Sequence, residues 1–516
     1  MVNDEPNITL LKHRQFNFKP TDLTTTGRSD NTSITSISVI NTSQNDRRET
    51  FHGRFFIDAS YEGDLIAAAG IETLIGREGR SFKNETGAGK VYKLWEGGEC
   101  PGTTHKGDRA LQSFNYRLCL TKSPHRVPIS KPSSYNRSEY LSLIDDVKSG
   151  RHGSSHQRVT EAQEALNRAR AEENQAPVPN LLPGINRILG IEPLPNAKFD
   201  ANNQALAFLS TDLPEENWSY LTDAWPARLR YLERLKSYTL GLLHFAQTDS
   251  ALPAYFREET GKWGLCPDEF VENGNFPRQA YIRVGRRMKG VYQFTSHDAT
   301  STQSSHVAGL SIATAHYALD SHAVHKRTHH PSHCQLDGQF QYPTRPYTIP
   351  YSILVPASST SSPTSRTVTN LLAPVPVSAS AMGFSTLRME AAWVGMGEAA
   401  GLAAALALEK GVRAADVDVG VLQRELMGRG GVLFVDGEGC LKEGGGREGR
   451  TPWEVFGGGA GGGGGGGSKS GSGNGDGDGS SSGSPEPRSS GKPSGSPRVS
   501  VKEQYLATDF YLLNNV

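Results

Sequence analysis

Residues 370–412, NLLAPVPVSASAMGFSTLRMEAAWVGMGEAAGLAAALALEKGV, constrain the fold more than any other stretch. An apolar strand runs into a Ser/Ala/Gly turn and then into a helix whose small residues are Gly395, Gly397, Ala399, Ala400, Gly401, Ala403 and Ala404. Small residues at that density let a helix press closely against a flat ligand, and the N–H groups of its first turn offer positive potential. The helix is expected over 388–410, with Lys410 in its last turn and Gly411 as its C′ stop. A second strand–turn–helix unit stands near the other end, FFIDASYEGDLIAAAGI at 55–71. There a strand at Phe55–Ile57 meets Asp58, the turn Ala59-Ser60-Tyr61-Glu62-Gly63-Asp64 and an Ala-rich helix. A strand that ends in small residues admits another backbone or a ligand at close range. Two such units predict an α/β fold.

Between and around them the chain is organised more loosely. Residues 8–57 read as strands joined by polar turns, with ITSISVINT and RRETFHGRFFIDAS forming a hairpin that feeds the strand at 55–57. Residues 147–180 form a polar, partly helical insertion. An amphipathic helix starts at Trp225, with Leu229, Leu232, Leu235, Leu242 and Leu243 at helical spacing. From 437 to 516 the chain is dominated by Gly and Ser, a composition that cannot bury enough apolar surface to offset its ordering entropy, so a flexible tail is expected. Its G-x-G-x-x-G matches have no strand before them and no helix after, and GAGK at 87–90 is followed by Val91 where a phosphate loop needs Ser or Thr.

Charge excludes some functions. Lys+Arg and Asp+Glu both number 54, so no global field draws the chain to nucleic acid or an anionic membrane. No segment is expected to span a membrane, and MVNDEPNITLLKHRQ has no signal-peptide apolar run. The five cysteines, Cys100, Cys119, Cys266, Cys334 and Cys440, show no metal-ligand spacing, and their odd number argues against a full disulfide framework. Six N-x-[ST] sequons start at Asn7, Asn31, Asn41, Asn84, Asn136 and Asn217.

Taken together, FIDASYEGDL and NLLAPVPVSASAMGFSTLRMEAAWVGMGEAAGLAAALA resemble the FAD-dependent oxidoreductases, the glutathione-reductase-like flavoproteins, in their xanthan-lyase-like branch. SFNYRLCLTKSPHRVPISKP, NAKFDANNQ, WGLCPDEFVENGNFPRQAYIRVGRRMKGVY, YALDSHAVHKR and YTIPYSIL follow the family in order, so the resemblance covers most of 8–435. It implies an incomplete FAD/NAD(P)-binding, Rossmann-like flavoprotein domain over 1–436 with an added substrate region. FAD is the implied cofactor and a small organic molecule the substrate. The opening strand, GxGxxG turn and helix of such proteins do not stand in this chain. Weak FAD binding is therefore expected until that segment is restored, and the rival reading is a non-catalytic remnant or binding module of the same fold.

The resemblance places Ala59, Ser60, Glu62, Gly63, Asp64, Ser380, Arg388, Glu390, Gly397 and Gly401 at the cofactor, and His322 and Arg388 at the chemistry. Each has a plainer alternative: Asp64 as N-cap of a helix starting at Leu65, Arg388 and Glu390 as a helix-end ion pair. His322 belongs to the run HYALDSHAVHKRTHHPSH, where interspersed Lys and Arg and scarce carboxylates argue against a metal site. Asn115, Tyr116 and Arg117 are expected on one strand. Of Arg283, Arg286 and Arg287 at least two are expected on a solvated helix face. Ala381 stands where the family often has His, so any proton handled there must find another group.

Overall fold

The computed structural model describes residues 5–92, 99–150, 184–205, 207–301, 303–327, 336–358 and 366–435, with short pieces at 167–168, 170–172, 174 and 441–442. Nearly all of the expected polar insertion and of the Gly/Ser-rich tail lies outside these residues, as do His329, His330 and His333. Residues 1–447 group as one compact unit.

An antiparallel sheet opens the chain: β1 (Arg14–Gln15), β2 (Leu23–Arg28), β3 (Asn31–Asn41) and β4 (Arg47–His52), with β3 paired to all three others. The β3–β4 hairpin runs from Ser36↔His52 to Asn41↔Arg47 and delivers the chain to β5 (Phe56–Ile57), as its polar turn predicts. α1 (Asp64–Ala68) follows. A second antiparallel sheet is built from β6 (Leu118–Thr121), β7 (Leu189–Leu194), β8 (Lys198–Asn203) and β9 (Gly264–Leu265), in the order β9-β6-β8-β7. The 24-residue helix α2 (Trp225–Thr248) begins where its apolar spacing predicts and buries Leu235, Leu242, Leu243 and Phe245 in the large core.

The register Leu265↔Leu120 sets Cys266 opposite Cys119, and the two form a disulfide with Cα atoms 5.5 Å apart. An odd cysteine count thus leaves room for a bridge that no local spacing announces.

The long-range join is made by β10 (Leu371–Leu372), which pairs parallel with β5 as Leu371↔Phe56 and Leu372↔Ile57. Asn370 reinforces it: its Nδ2 donates to the carbonyls of Ile34 and Arg54, at 2.8 and 3.0 Å, and its Oδ1 accepts from the Ile34 N–H. Ile34, Phe56, Ile66, Ile71, Val368 and Leu371 form a separate small core beneath this junction. After β10 come α3 (Ala381–Leu387) and α4 (Glu390–Lys410), which Gly411 ends at φ 64° with its N–H on the Ala407 carbonyl. By length and composition alone α4 could cross a membrane, which was not expected of any segment; one face of it, Ala392, Met396, Ala399, Ala403 and Ala407, is buried in the core.

Candidate functional site

Because β5 and β10 run parallel, the turns that leave them start from the same end of the pair. The first turn is organised by Asp58. Its Oδ2 accepts the N–H groups of Leu65 and Ile66, both at 3.1 Å, and its Oδ1 accepts from the Ser60 hydroxyl at 2.6 Å and the Ser60 N–H at 3.1 Å. Asp58 therefore satisfies the free N–H groups of α1, from the strand side, and Asp64 does not. Burial pushes the Asp58 carboxyl up, against the pull of these hydrogen bonds. Gly63 precedes α1 at φ 65°, and a Cβ there would lie 3.0 Å from Pro376 Cβ and 3.3 Å from Arg286 Cβ. What approaches this glycine closely is the chain itself, from the turn after β10.

Asp64 is instead a bridge between two buried arginines. Arg228 grips both its oxygens at 2.6 and 2.9 Å, and Arg286 Nη1 donates to Oδ1 at 2.6 Å. Tyr220 donates to Glu62 Oε1 at 3.1 Å, and burial raises the Glu62 carboxyl. The expectation of a solvated helix face for the nearby arginines is overturned. Arg283, Arg286 and Arg287 are all buried and outside any helix, and each reaches a distant carboxylate: Asp212, Asp64 and Glu78.

The second turn ends at Ser380, whose Oγ accepts from the Gly383 N–H at 2.9 Å and so caps α3, while donating to the buried Glu85 at 2.8 Å. Arg388 lies between α3 and α4 and is buried. Its Nη1 donates to the Tyr281 hydroxyl at 2.8 Å, and its Nη2 to Asp320 Oδ2 at 3.0 Å. From there a polar chain continues inward: Asp320 Oδ2 lies 3.6 Å from His322 Nε2, His322 Nδ1 meets Asp212 Oδ2 at 2.8 Å, and Asp212 Oδ1 accepts from Arg283 at 2.8 Å. Burial alone would raise both aspartates. His322 and Arg283 outweigh it at Asp212, and His322 and Arg388 outweigh it at Asp320, so both carboxyls sit below the usual range. Tyr281 is pushed up by burial, and Tyr317 by Asp320, to which its hydroxyl donates at 3.1 Å.

Tyr281, Arg283, Asp212 and Asp320 complete this network; of these, the sequence alone points only to Arg283, and there to a surface position. The available signal was the alternation in YIRVGRR, which puts Tyr281 and Arg283 on one side of an extended segment, and the Asp two places before His322 in DSH. Asn115 belongs with them: its Oδ1 accepts from Arg283 at 3.0 Å, and its Nδ2 donates to Asn202 at 2.7 Å. The strand expected over 115–117 starts only at Leu118; Arg117 stands just before it and pairs with Asp200.

The first turn also reaches the start of α4, where the Tyr61 and Trp393 rings stand edge to face at 5.3 Å. At the start of α4 and at the Asp320 that pairs with Arg388, four of the polar atoms that are buried without a protein partner are found: Arg388 Nε, Asp320 Oδ1, Glu390 Oε1 and Trp393 Nε1. Two are donors and two acceptors. Native proteins leave few buried polar atoms unpaired, and such atoms are satisfied when a ligand or water reaches them. Gly397 and Gly401 lie further along α4 on an open face, with nothing within 4 Å of a Cβ placed on either among the described residues. A cavity of about 190 Å³ lies beside the inner end of the network, lined by Asp212, Ser210, Ala323, Gln339 and Tyr238. No group of three or more His, Cys, Asp or Glu is arranged to hold a metal among the described residues.

A parallel strand pair followed by helices, beside antiparallel sheets, is the frame of a mixed α/β protein. The particular family is the FAD dependent oxidoreductases: the family's model matches residues 1–426, and the chain belongs to it. FAD is thus its cofactor and oxidoreduction its class of activity. No curated protein and no solved structure matches the chain.

Proposed function

We propose that the chain is a Rossmann-like flavoprotein of the glutathione-reductase-like kind, in the xanthan-lyase-like branch, and that it oxidises or reduces a small organic substrate at the start of α4. The observation that carries this is the set of four unpaired atoms. A flavin's pyrimidine edge carries two carbonyl oxygens flanking an N–H. Arg388 Nε and Trp393 Nε1 supply donors for the carbonyls, and Asp320 Oδ1 and Glu390 Oε1 supply acceptors for the N–H. When bound, FAD supplies the hydride or electron transfer that side chains cannot.

The chain's own residues do the rest. Arg388, with the first N–H groups of α4, holds positive potential where negative charge develops. The Asp212 and Asp320 carboxylates hold His322 in one orientation, so that its imidazole can keep or release a proton in a site without the family's usual histidine at Ala381. Ala59, Ser60, Glu62, Gly63 and Asp64 fix the floor on which Tyr61 meets Trp393, Ser380 fixes the start of α3, and Gly397 and Gly401 leave α4 open for the remainder of the cofactor. No nucleic-acid or membrane partner belongs to this reading.

The test is a titration of FAD followed by flavin absorbance. It is run on the chain alone and on a version carrying an N-terminal strand–GxGxxG–helix segment. The extended version should retain FAD more tightly, and a Glu390→Gln/Trp393→Phe double variant of it should bind about tenfold more weakly, as expected when a ligand's hydrogen bonds are lost. Equal affinity of the double variant would place the flavin elsewhere.

A further inference from the structure

The six Asn-x-Ser/Thr sequons fall into two structural classes. Asn41 and Asn217 are fully buried, and in both the side-chain nitrogen is already engaged: Asn41 Nδ2 donates to Glu49 Oε1 at 2.8 Å, and Asn217 Nδ2 to the Gln112 carbonyl at 2.7 Å. Asn7, Asn31, Asn84 and Asn136 are exposed. Asn31 begins β3, where Thr32, the middle residue of its sequon, is buried in the sheet; Glu85, the middle residue of the Asn84 sequon, is buried as well. Asn84 and Asn136 stand on turns. Asn84 ends a run of exposed residues, 81–84, beside a 3-10 turn at Arg80–Phe82. Asn136 caps another short turn through its oxygen, which accepts from the Ser138 N–H at 3.2 Å, so the nitrogen a sugar would join is not the atom that holds the turn.

Sequons arise by chance, and exposure alone does not make a glycosylation site. The second, independent observation is the Cys119–Cys266 disulfide. It is buried in the second sheet and links positions 147 residues apart. Structural disulfides form and persist in oxidising compartments, and those are the compartments in which asparagine acceptors meet their glycan donor. We infer that this chain matures in the secretory pathway of a cell that makes N-glycans and carries an N-linked oligosaccharide at Asn84 and at Asn136, while Asn41 and Asn217 stay bare. In the transfer, Asn Nδ2 attacks the anomeric carbon of a lipid-diphosphate-linked oligosaccharide. An N–C bond forms, the sugar's C–O bond to phosphate breaks, the lipid diphosphate leaves and one amide proton is lost. The two cysteines give up two electrons and two protons to a protein disulfide oxidant of the same compartment. Attachment at Asn41 or Asn217 would remove a buried donor and put a polar sugar into the core, so a chain modified there does not reach this fold.

The test uses the full protein isolated from the organism that makes it. Thiols are blocked without reduction, the protein is treated with peptide-N-glycosidase in heavy-oxygen water, and peptides are read by mass spectrometry. The expected result is heavy aspartate at positions 84 and 136, unmodified asparagine at 41 and 217, and the peptides of Cys119 and Cys266 recovered linked. Unmodified Asn84 and Asn136, heavy aspartate at 41 or 217, or blocked free thiols at Cys119 and Cys266 would each overturn the inference. None of these readouts depends on flavin binding.

Discussion

The turn after β5 and the start of α4 both hold charged side chains and touch through Tyr61 and Trp393, yet they differ in one respect. Around Asp58 and Asp64 each carboxylate oxygen has a protein partner. Around Arg388 and Glu390 four polar atoms have none. A satisfied cluster fixes geometry and gains nothing from a further molecule. An unsatisfied one holds desolvation free energy that a ligand of the right pattern recovers, roughly 1–3 kcal/mol per group. Two motifs that resemblance treats alike thus differ in how fully their polar atoms are paired, and the proposed function makes the first a scaffold and the second a receptor.

The largest effect that separates them is Asp64→Asn. Removing the charge that Arg228 and Arg286 share leaves two buried cations uncompensated, and stability to urea should fall by about 3–5 kcal/mol. The fraction that stays folded should bind FAD with unchanged affinity; a matching loss of affinity in that fraction would erase the distinction. Arg388→Lys comes next. Lysine keeps the charge but loses the planar fork that joins Tyr281 to Asp320, and steady-state turnover of the flavin-loaded enzyme should drop by about 10²-fold, with FAD retention less affected. If neither retention nor turnover per bound flavin falls, Arg388 belongs with the scaffold.

Acid sharpens the contrast more gently. Asp212 and Asp320 have carboxyls depressed below their unfolded values, so the folded chain binds fewer protons there than the unfolded one. Their contribution is complete above the ordinary carboxylate range near pH ~4 and is lost as pH falls through and below it. Asp58, raised by burial, has the opposite slope. Asp320→Asn should therefore flatten the acid limb of a stability–pH curve followed by urea unfolding, and Asp58→Asn should not; equal flattening by both would contradict these assignments. The smallest effect is expected at Gly401→Leu. With open space at that face and a better helix former in place of glycine, stability should stay the same or rise by up to about 0.8 kcal/mol. FAD retention should fall, as leucine fills the face proposed for the cofactor; unchanged retention removes Gly401 from the site.

What could be read from the sequence was what local chemistry announces. Trp225 opens a helix of apolar period, Gly411 closes α4, and a polar turn separates β3 from β4, each within a few residues of its signal. What escaped was set at long range. Arg283 and Arg287, four apart, have helical spacing, but their carboxylates arrive from Asp212 and Glu78, and the segment forms no helix. Asp64 sits where an N-cap belongs, yet the N–H groups of α1 are taken by Asp58, seven and eight residues back along the chain. The partners of His322 and Arg388 lie on strands and loops that only the folded topology brings together.

The pairing of β5 with β10 also sets a timetable. Asn370 reaches back 316 residues to the Arg54 carbonyl, and Phe56 finds Leu371 across a similar separation. At about 5–20 residues per second of synthesis, β5 waits roughly 15 to 60 s for the strand that pairs with it. Throughout that interval Phe56 lacks its ladder partner and the part of the small core that Val368 and Leu371 supply, while the second sheet and α2 become able to form. The N-terminal segment is made first and finishes folding last. A chaperone that holds nascent chains should bind ribosome-stalled intermediates through residues 31–57, and let go once 367–373 have cleared the exit tunnel.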